Sequence, residues 1–332
     1  MTLLRKPRRC GALLLLAASL AAIVAGCGGG TSQVQPYHPN RVIVFGDEMS
    51  ALVDDGNQNA WKYSINGVNP TTNLRDCTQA PNWAQGLANN YGFVFAECNP
   101  AGITNARAVM RARPNATVED PINGLGQQVS EQVAAGLGTG DLVTVLIGTN
   151  DILELYAQVQ SGFISQTDAM NEAARRGTVA AKQVTRMLAM NTRAIVSTIP
   201  DLSKSPFARL ADQLVAGSST LIYNLVYQFN AYVRAEINNG VYDGHYYALV
   251  LADDMTNAAV SSPSSYMSAP ANVSDPLCVV PLGICTNTPS DLTTAPGAST
   301  TSYFWASLTF AGPVLHGRMA SSAVSRATSN PF

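Results

Sequence analysis

Apolar residues in this chain follow two different spacings. Predominantly apolar stretches occur at 42–45, 93–96, 141–147, 193–199 and 246–251. Runs of this kind predict strands buried on both faces. Between them the apolar positions fall at helical intervals. Trp83, Leu87 and Tyr91 predict a helix over 83–91, and Leu125, Val129 and Val133 predict one over 122–135. A long helix is expected from about 166 to 190. Leu221, Leu225, Phe229, Tyr232 and Val233 mark another over 214–238. Strands alternating with helices in this rhythm predict a parallel sheet covered on both faces.

Two further stretches read differently. Asn66-Gly67 marks the turn of a loop or short hairpin within 61–73. The region 258–302 is rich in Ser, Pro, Thr and Ala and shows little periodicity. It is expected to be a long loop beside the active end, stapled by a cysteine pair.

The length, 332 residues, suits one large α/β domain or two small ones. A hydrophobic content of 46 % with only 13 % charged residues supplies a sizeable core. The formal net charge is −2. Arg5, Lys6, Arg8 and Arg9 all lie in the first 26 residues, so the remainder carries −6. An acidic body without a basic run argues against nucleic acid as a partner.

That basic stretch precedes the apolar residues 13–24, which predicts a secretory signal over 1–27. Val24-Ala25-Gly26-Cys27 resembles the bacterial lipobox, which implies a lipidated Cys27 and a membrane tether. Residues 28–39 then read as a linker, and 40–332 as the folded domain. Gly28 after the cysteine fits sorting to the outer membrane, so the expected place is the cell envelope. Four cysteines remain: Cys77, Cys98, Cys278 and Cys285. An even count in an exported chain predicts two disulfides, and Cys77–Cys98 with Cys278–Cys285 closes the shorter loops. No cysteine spacing or nearby His fits a metal site.

The first strand ends in Phe45-Gly46-Asp47-Glu48-Met49-Ser50. This resembles block I of the SGNH/GDSL hydrolases, in which a serine nucleophile follows Gly-Asp. The strand ending in Gly148-Thr149-Asn150-Asp151 matches their block III. Asn99-Pro100-Ala101-Gly102 is taken as block II. The resemblance covers most of 40–332. It implies a three-layer α/β/α, flavodoxin-like fold around a central parallel sheet, no cofactor, and an oxyanion hole formed by Gly102 and Asn150. It also implies that Asp47 and Asp151 are structural.

The catalytic positions depart from the family pattern. Glu48 occupies the nucleophile position. In the last block, with its register set by Pro313 to His316, Ser307 and Phe310 stand where Asp and His are expected; sliding by one gives Ala306 and Thr309. The other histidines are His38 in the linker and His245 before a strand, and His316 matches a later, non-catalytic position. Ser50 reads as a helix cap. Triad members act as a unit, so a site lacking nucleophile, base and orienter retains only the residual rate of the hole. Glu48 itself is expected to fill that hole, accepting from Asn150 or from the Gly102 N–H.

Three functional expectations follow, the third being a purely structural envelope lipoprotein with no ligand, which a cleft closed by Phe310 and the 258–302 loop would favour. The first is a catalytically impaired, lipid-anchored envelope protein that binds a lipid, acyl or glycan ligand or a partner. The second is an active ester hydrolase with an atypical site built on Glu48, Gly102 and Asn150, with Ser50 or His316 in support.

Overall fold

The computed structural model describes residues 37–329. The proposed signal, Cys27 and all of the expected linker up to residue 36 lie outside the described residues. The linker's last residues belong to the fold. Pro39 is buried, and the Tyr37 hydroxyl donates to the Asp141 carbonyl at 3.3 Å.

Five parallel strands form the central sheet: β1 (Arg41–Gly46), β2 (Ala108–Met110), β3 (Asp141–Leu146), β4 (Arg193–Ser197) and β5 (Tyr247–Val250), in spatial order β2-β1-β3-β4-β5. β1 lies beside β3 in unbroken register from Arg41 opposite Asp141 to Gly46 opposite Leu146. Every residue of β3 is buried, as its apolar run requires.

Helices cover both faces. α1 (Trp83–Asn90) packs against the last helix, α8 (Pro313–Ser329), while α2 (Leu125–Ala134), α3 (Thr149–Gln160), α4 (Gln166–Leu188) and α6 (Ser218–Ile237) pack among themselves. The shorter α5 (Pro206–Leu214) and α7 (Ala252–Ser261) follow β4 and β5. A two-stranded parallel ribbon, β6 (Asn272–Pro276) with β7 (Tyr303–Trp305), completes the structure. This is the three-layer α/β/α arrangement expected.

Both disulfides, Cys77–Cys98 and Cys278–Cys285, are formed as expected. The expected strand at 93–96 is not one. Only Phe95 makes a single bridge to Ala108, because the chain turns back at once with the Cys98 N–H donating to the Phe95 carbonyl. The disulfide to Cys77 fixes that bend. The strand beside β1 is instead Ala108–Met110, too short to show as an apolar run.

Asn66-Gly67 is not a turn either. Asn66 is buried, and its side chain donates to the Leu282 and Cys285 carbonyls at 3.0 and 3.1 Å, tying two distant loops together. The hairpin turn falls at 69–74 instead, between Val68 and Arg75. Within 258–302 the chain is less irregular than its composition implies, since it holds the end of α7 and all of β6.

The closest helix contact explains an unfavourable residue. Gly177 lies mid-α4, where glycine costs about 1 kcal/mol relative to alanine. A Cβ there would stand 2.4 Å from the Phe229 carbonyl oxygen of α6. Gly177→Ala is therefore expected to lower stability, by about 2 kcal/mol or more, in urea unfolding. Gly126→Ala, in α2 where the nearest atom is 3.7 Å away, should instead raise stability by about 0.5–1 kcal/mol.

Candidate active site

Parallel strands direct their carboxyl ends to one edge of the sheet, and β1 ends there in Gly46-Asp47-Glu48. Gly46 has φ +133°, and a Cβ would lie 1.7 Å from the Leu146 carbonyl of β3. Only glycine permits this approach. Its N–H and C=O are both bonded by the buried Gln128 side chain of α2, each at 2.9 Å.

Asp47 is fully buried. Its carboxylate accepts from the Met49 N–H at 3.1 Å and from the Thr149 N–H, the first of α3, at 3.2 Å. Burial pushes its carboxyl well above the ordinary range, and the neighbouring Glu48 charge adds to the shift. The start of α3 opposes it, since a helix N-terminus favours negative charge.

Glu48 is 4 % exposed, and each of its oxygens has a strong donor. One accepts from the Asn115 backbone N–H at 2.6 Å, the other from Asn150 Nδ2 at 2.7 Å. Asn150 is held in turn, donating also to the Ala116 carbonyl at 3.0 Å. Hydrogen bonds to a charged group contribute about 1.5–3 kcal/mol each. The carboxylate therefore sits in a two-donor cradle of the kind that stabilises an oxyanion.

The second donor is not the one expected. Gly102 is exposed, and its N–H donates to the Asn99 carbonyl at 3.0 Å. Asn115 takes that role, with φ 59°. This left-handed conformation favours glycine and tolerates asparagine, which accounts for a non-glycine residue there. Block II follows the strand beside β1, so placing that strand at 93–96 moved the block to 99–102. With the strand at Ala108–Met110, the turn sequence Arg113-Pro114-Asn115 falls where the donor is needed.

Asp151 points away from the cradle. It is buried, accepts from the Val118 N–H at 3.1 Å, and pairs with Arg176 at 3.1 Å. Burial raises its carboxyl to about 6 against the lowering effect of Arg176. Ser50 does not cap a helix, because none follows β1. Its Oγ accepts the Trp83 indole N–H at 3.0 Å. His245 is exposed beside Asp243.

The last-block positions supply no base. Ser307 Oγ accepts the Phe310 N–H at 3.1 Å and closes a tight turn. That turn leaves the Phe310 ring 5.5 Å from Tyr63, whose own partner is Trp61 at 4.6 Å. Tyr63 lies close enough to Glu48 for the carboxylate to raise its hydroxyl, after burial as the main cause. The disulfide loop completes the wall, since Gly283 would meet the Trp61 ring at 3.4 Å if it bore a Cβ. Three surface cavities, of about 510, 360 and 310 Å³, open elsewhere and are not lined by Glu48, Asn115 or Asn150. Among the described residues no group of three His, Cys, Asp or Glu is placed to hold a metal.

His316 is 2 % exposed and belongs to the core between α8 and α1. Its Nδ1 accepts the Trp83 N–H at 3.3 Å, which assigns the hydrogen to Nε2. Nε2 has no partner among the described residues. Nearby Lys62, equally buried, donates to the Cys77 and Gln79 carbonyls at 3.0 and 2.8 Å. Burial, with Lys62 adding to it, pushes the His316 imidazole down to about 3. An unfolded chain protonates this residue near the ordinary value of about 6.5. Between those two values the unfolded state binds the extra proton, so stability is lost as pH falls. His316 should contribute about 1.4 kcal/mol per pH unit to that loss. His316→Asn is expected to flatten the acid limb of stability against pH by about one proton, measured by denaturant unfolding between about pH 6 and pH 4.

Residues 42–264 match the model of the GDSL-like Lipase/Acylhydrolase family. No protein of curated function matches the chain. A solved structure, a member of the lipolytic protein G-D-S-L family from Veillonella parvula DSM 2008, is similar at 11 % identity and a TM-score of 0.39. It covers 86 % of this chain and 96 % of its own. The family match spans about two thirds of the sequence and contains all but the first residue of β1, together with Asn115 and Asn150, and this chain belongs to the GDSL-like lipase/acylhydrolase family.

Proposed function

We propose that this protein is a non-hydrolytic member of its family, held in the bacterial cell envelope through a lipidated Cys27, whose aromatic surface beside Glu48 serves binding instead of turnover. The observation that carries the reading is the Glu48 carboxylate clamped between Asn115 N and Asn150 Nδ2. A hydrolase keeps such donors free for charge that appears in the transition state. Here a permanent anion already uses them. The position expected to supply the base holds Phe310, and His316 is engaged with Trp83. The half-buried strip Trp61, Tyr63 and Phe310 beside the carboxylate is the surface offered to a lipid, acyl or glycan ligand. Apolar and aromatic contact of this kind suits ligands that bring little charge.

Hydrolysis of short- and medium-chain p-nitrophenyl esters tests this directly. Wild type, Asn150→Ala and Glu48→Gln are all expected to show no turnover above buffer. Turnover in wild type that disappears in both variants would establish a Glu48-centred ester hydrolase in place of the binding reading. A second measurement probes the cradle itself. Glu48→Ala leaves two buried donors unpaired, at a cost of about 1–3 kcal/mol each. Acetate should restore part of that stability, whereas chloride at equal ionic strength should not. In Glu48→Ala/Asn150→Ala the acetate effect should vanish.

A further inference from the structure

The region 258–302, rich in Ser, Pro, Thr and Ala, builds more than the wall beside Glu48. It contributes residues to each of the three surface cavities. The first, of about 510 Å³, is lined by Tyr266, Ser268 and Thr301 of this region and by Arg318 and Ser321 of α8. The second, of about 360 Å³, is walled entirely by residues between Asn287 and Thr300. Thr300 lines both, so the two adjoin. Tyr266 likewise joins the first cavity to the third, of about 310 Å³. A Cβ on Gly297, which has φ +78°, would stand 2.4 Å from the Pro270 ring. The two loop segments that frame the first pair of cavities are therefore in direct contact.

These cavities differ in charge. Arg318 is the one charged side chain that lines the first. The second has none, and its polar side chains are the Asn287 amide and the hydroxyls of Thr293, Thr294, Ser299 and Thr300. The third offsets Arg326 with Asp254. Arg318 is fixed in place from two directions. Its guanidinium lies 4.8 Å over the Tyr266 ring, and one terminal nitrogen donates to the Ser265 carbonyl at 3.0 Å. No carboxylate pairs with it among the described residues, whereas Arg209, also exposed, pairs with Asp275. Beside it the Ser268 and Thr301 hydroxyls are 2.7 Å apart, and Thr301 Oγ1 reaches Ser299 Oγ at 3.2 Å. Each of these hydroxyls can both donate and accept.

We propose that the first two cavities form one groove for an acidic oligosaccharide, with a carboxylate sugar on Arg318 and neutral sugar beyond Thr300. A guanidinium held by a ring and a carbonyl suits a planar carboxylate and loses little freedom on meeting it. Hydroxyls that donate and accept match the same groups on a sugar, which an acyl chain lacks. Pro313 and Val314 give the first cavity an apolar patch for the C–H face of a sugar ring. A phosphate or a lone carboxylate would use Arg318 and leave the uncharged second cavity unfilled. An oligosaccharide with one acidic unit engages both. The groove shares no lining residue with the strip of Trp61, Tyr63 and Phe310, so it stands whether or not that strip binds a ligand.

Titration calorimetry on the full chain would use hyaluronan tetrasaccharide, in which glucuronate alternates with N-acetylglucosamine, and tetragalacturonate. Chitotetraose, built from N-acetylglucosamine alone, is the neutral control. At least one acidic sugar is expected to bind about tenfold or more tighter than chitotetraose, the gain from one charge-assisted pair. Arg318→Gln should remove that gain, whereas Arg186→Gln, an exposed arginine of α4, should keep it. Ser321→Trp, which fills the first cavity from an exposed helix position, should abolish binding of the acidic sugars. Hydrogen exchange should slow at 265–268 and 299–302 when sugar is added. Absence of binding by both acidic sugars at millimolar concentration overturns the groove, as does equal affinity for chitotetraose. Equal losses in Arg318→Gln and Arg186→Gln would mark unspecific attraction and overturn it as well. Acetate bound as tightly as either acidic sugar would reduce the site to a simple anion pocket. Protection at 61–63 and 308–310 instead would move the sugar to the strip beside Glu48, overturning the groove and leaving the binding reading of that strip intact.

Discussion

Two consecutive carboxylates at the end of β1 hold the upper edge of this molecule together. Asp47 and Glu48 between them accept from Met49, Thr149, Asn115 and Asn150. Those donors belong to the turn after β1, the start of α3 and the loop after β2, so three chain segments converge on two residues. Burying two adjacent anions is costly unless each finds strong partners. The cost falls mainly on Asp47, whose carboxyl is raised by burial and by Glu48. The N-terminus of α3 offsets part of it. A serine in place of Glu48 would carry no charge, so this site bears an electrostatic load that the family pattern lacks. The donors meet that load by staying with the carboxylate.

Much of this arrangement was legible in the residues. The apolar runs at 42–45, 141–147 and 193–199 had to be buried strands, since each was followed by Gly-Asp, Gly-Thr-Asn-Asp or Pro-Asp, residues that end a sheet and begin a loop. Glu48 facing Asn150 followed from the same two motifs. What could not be read was the edge of the sheet. Phe93 and Phe95 are as apolar as any strand, yet they are buried by α1 packing, an arginine and a disulfide bend, while Ala108–Met110 pairs through backbone groups that carry no side-chain signature. That single exchange displaced Gly102 into the role of Asn115. Asn66 illustrates a related limit. Its sequence neighbour Gly67 signals a turn, but its side-chain bonds to Leu282 and Cys285 span more than two hundred residues, and no local pattern reports a partner so far away.

The poorly periodic region 258–302 has a purpose that its composition hides. Cys278–Cys285 closes a loop that presents Gly283 to Trp61 and carbonyl groups to Asn66. Trp61 carries the contact on to Tyr63, and Tyr63 to Phe310. Each ring is placed by a different device, namely a disulfide loop, a neighbouring ring and the turn closed by Ser307. A wall built this way can change shape without disturbing the sheet, because its supports lie in loops outside the five strands.

The last step concerns the two ends of the sheet. At the carboxyl end Asp47 and Glu48, which follow β1, are each matched by donors inside the protein, so that edge is electrostatically closed. At the amino end Arg41 is matched by Asp141, but Arg193 keeps a buried Nε without an acceptor. An unpaired buried donor persists only where something outside the described fold meets it or where its loss of bonding is tolerated. The Tyr91 hydroxyl and six further buried polar atoms, His316 Nε2 among them, likewise have no partner among the described residues, so the fold tolerates such losses in several places. The edge that carries the family's motifs has turned inward on its own glutamate.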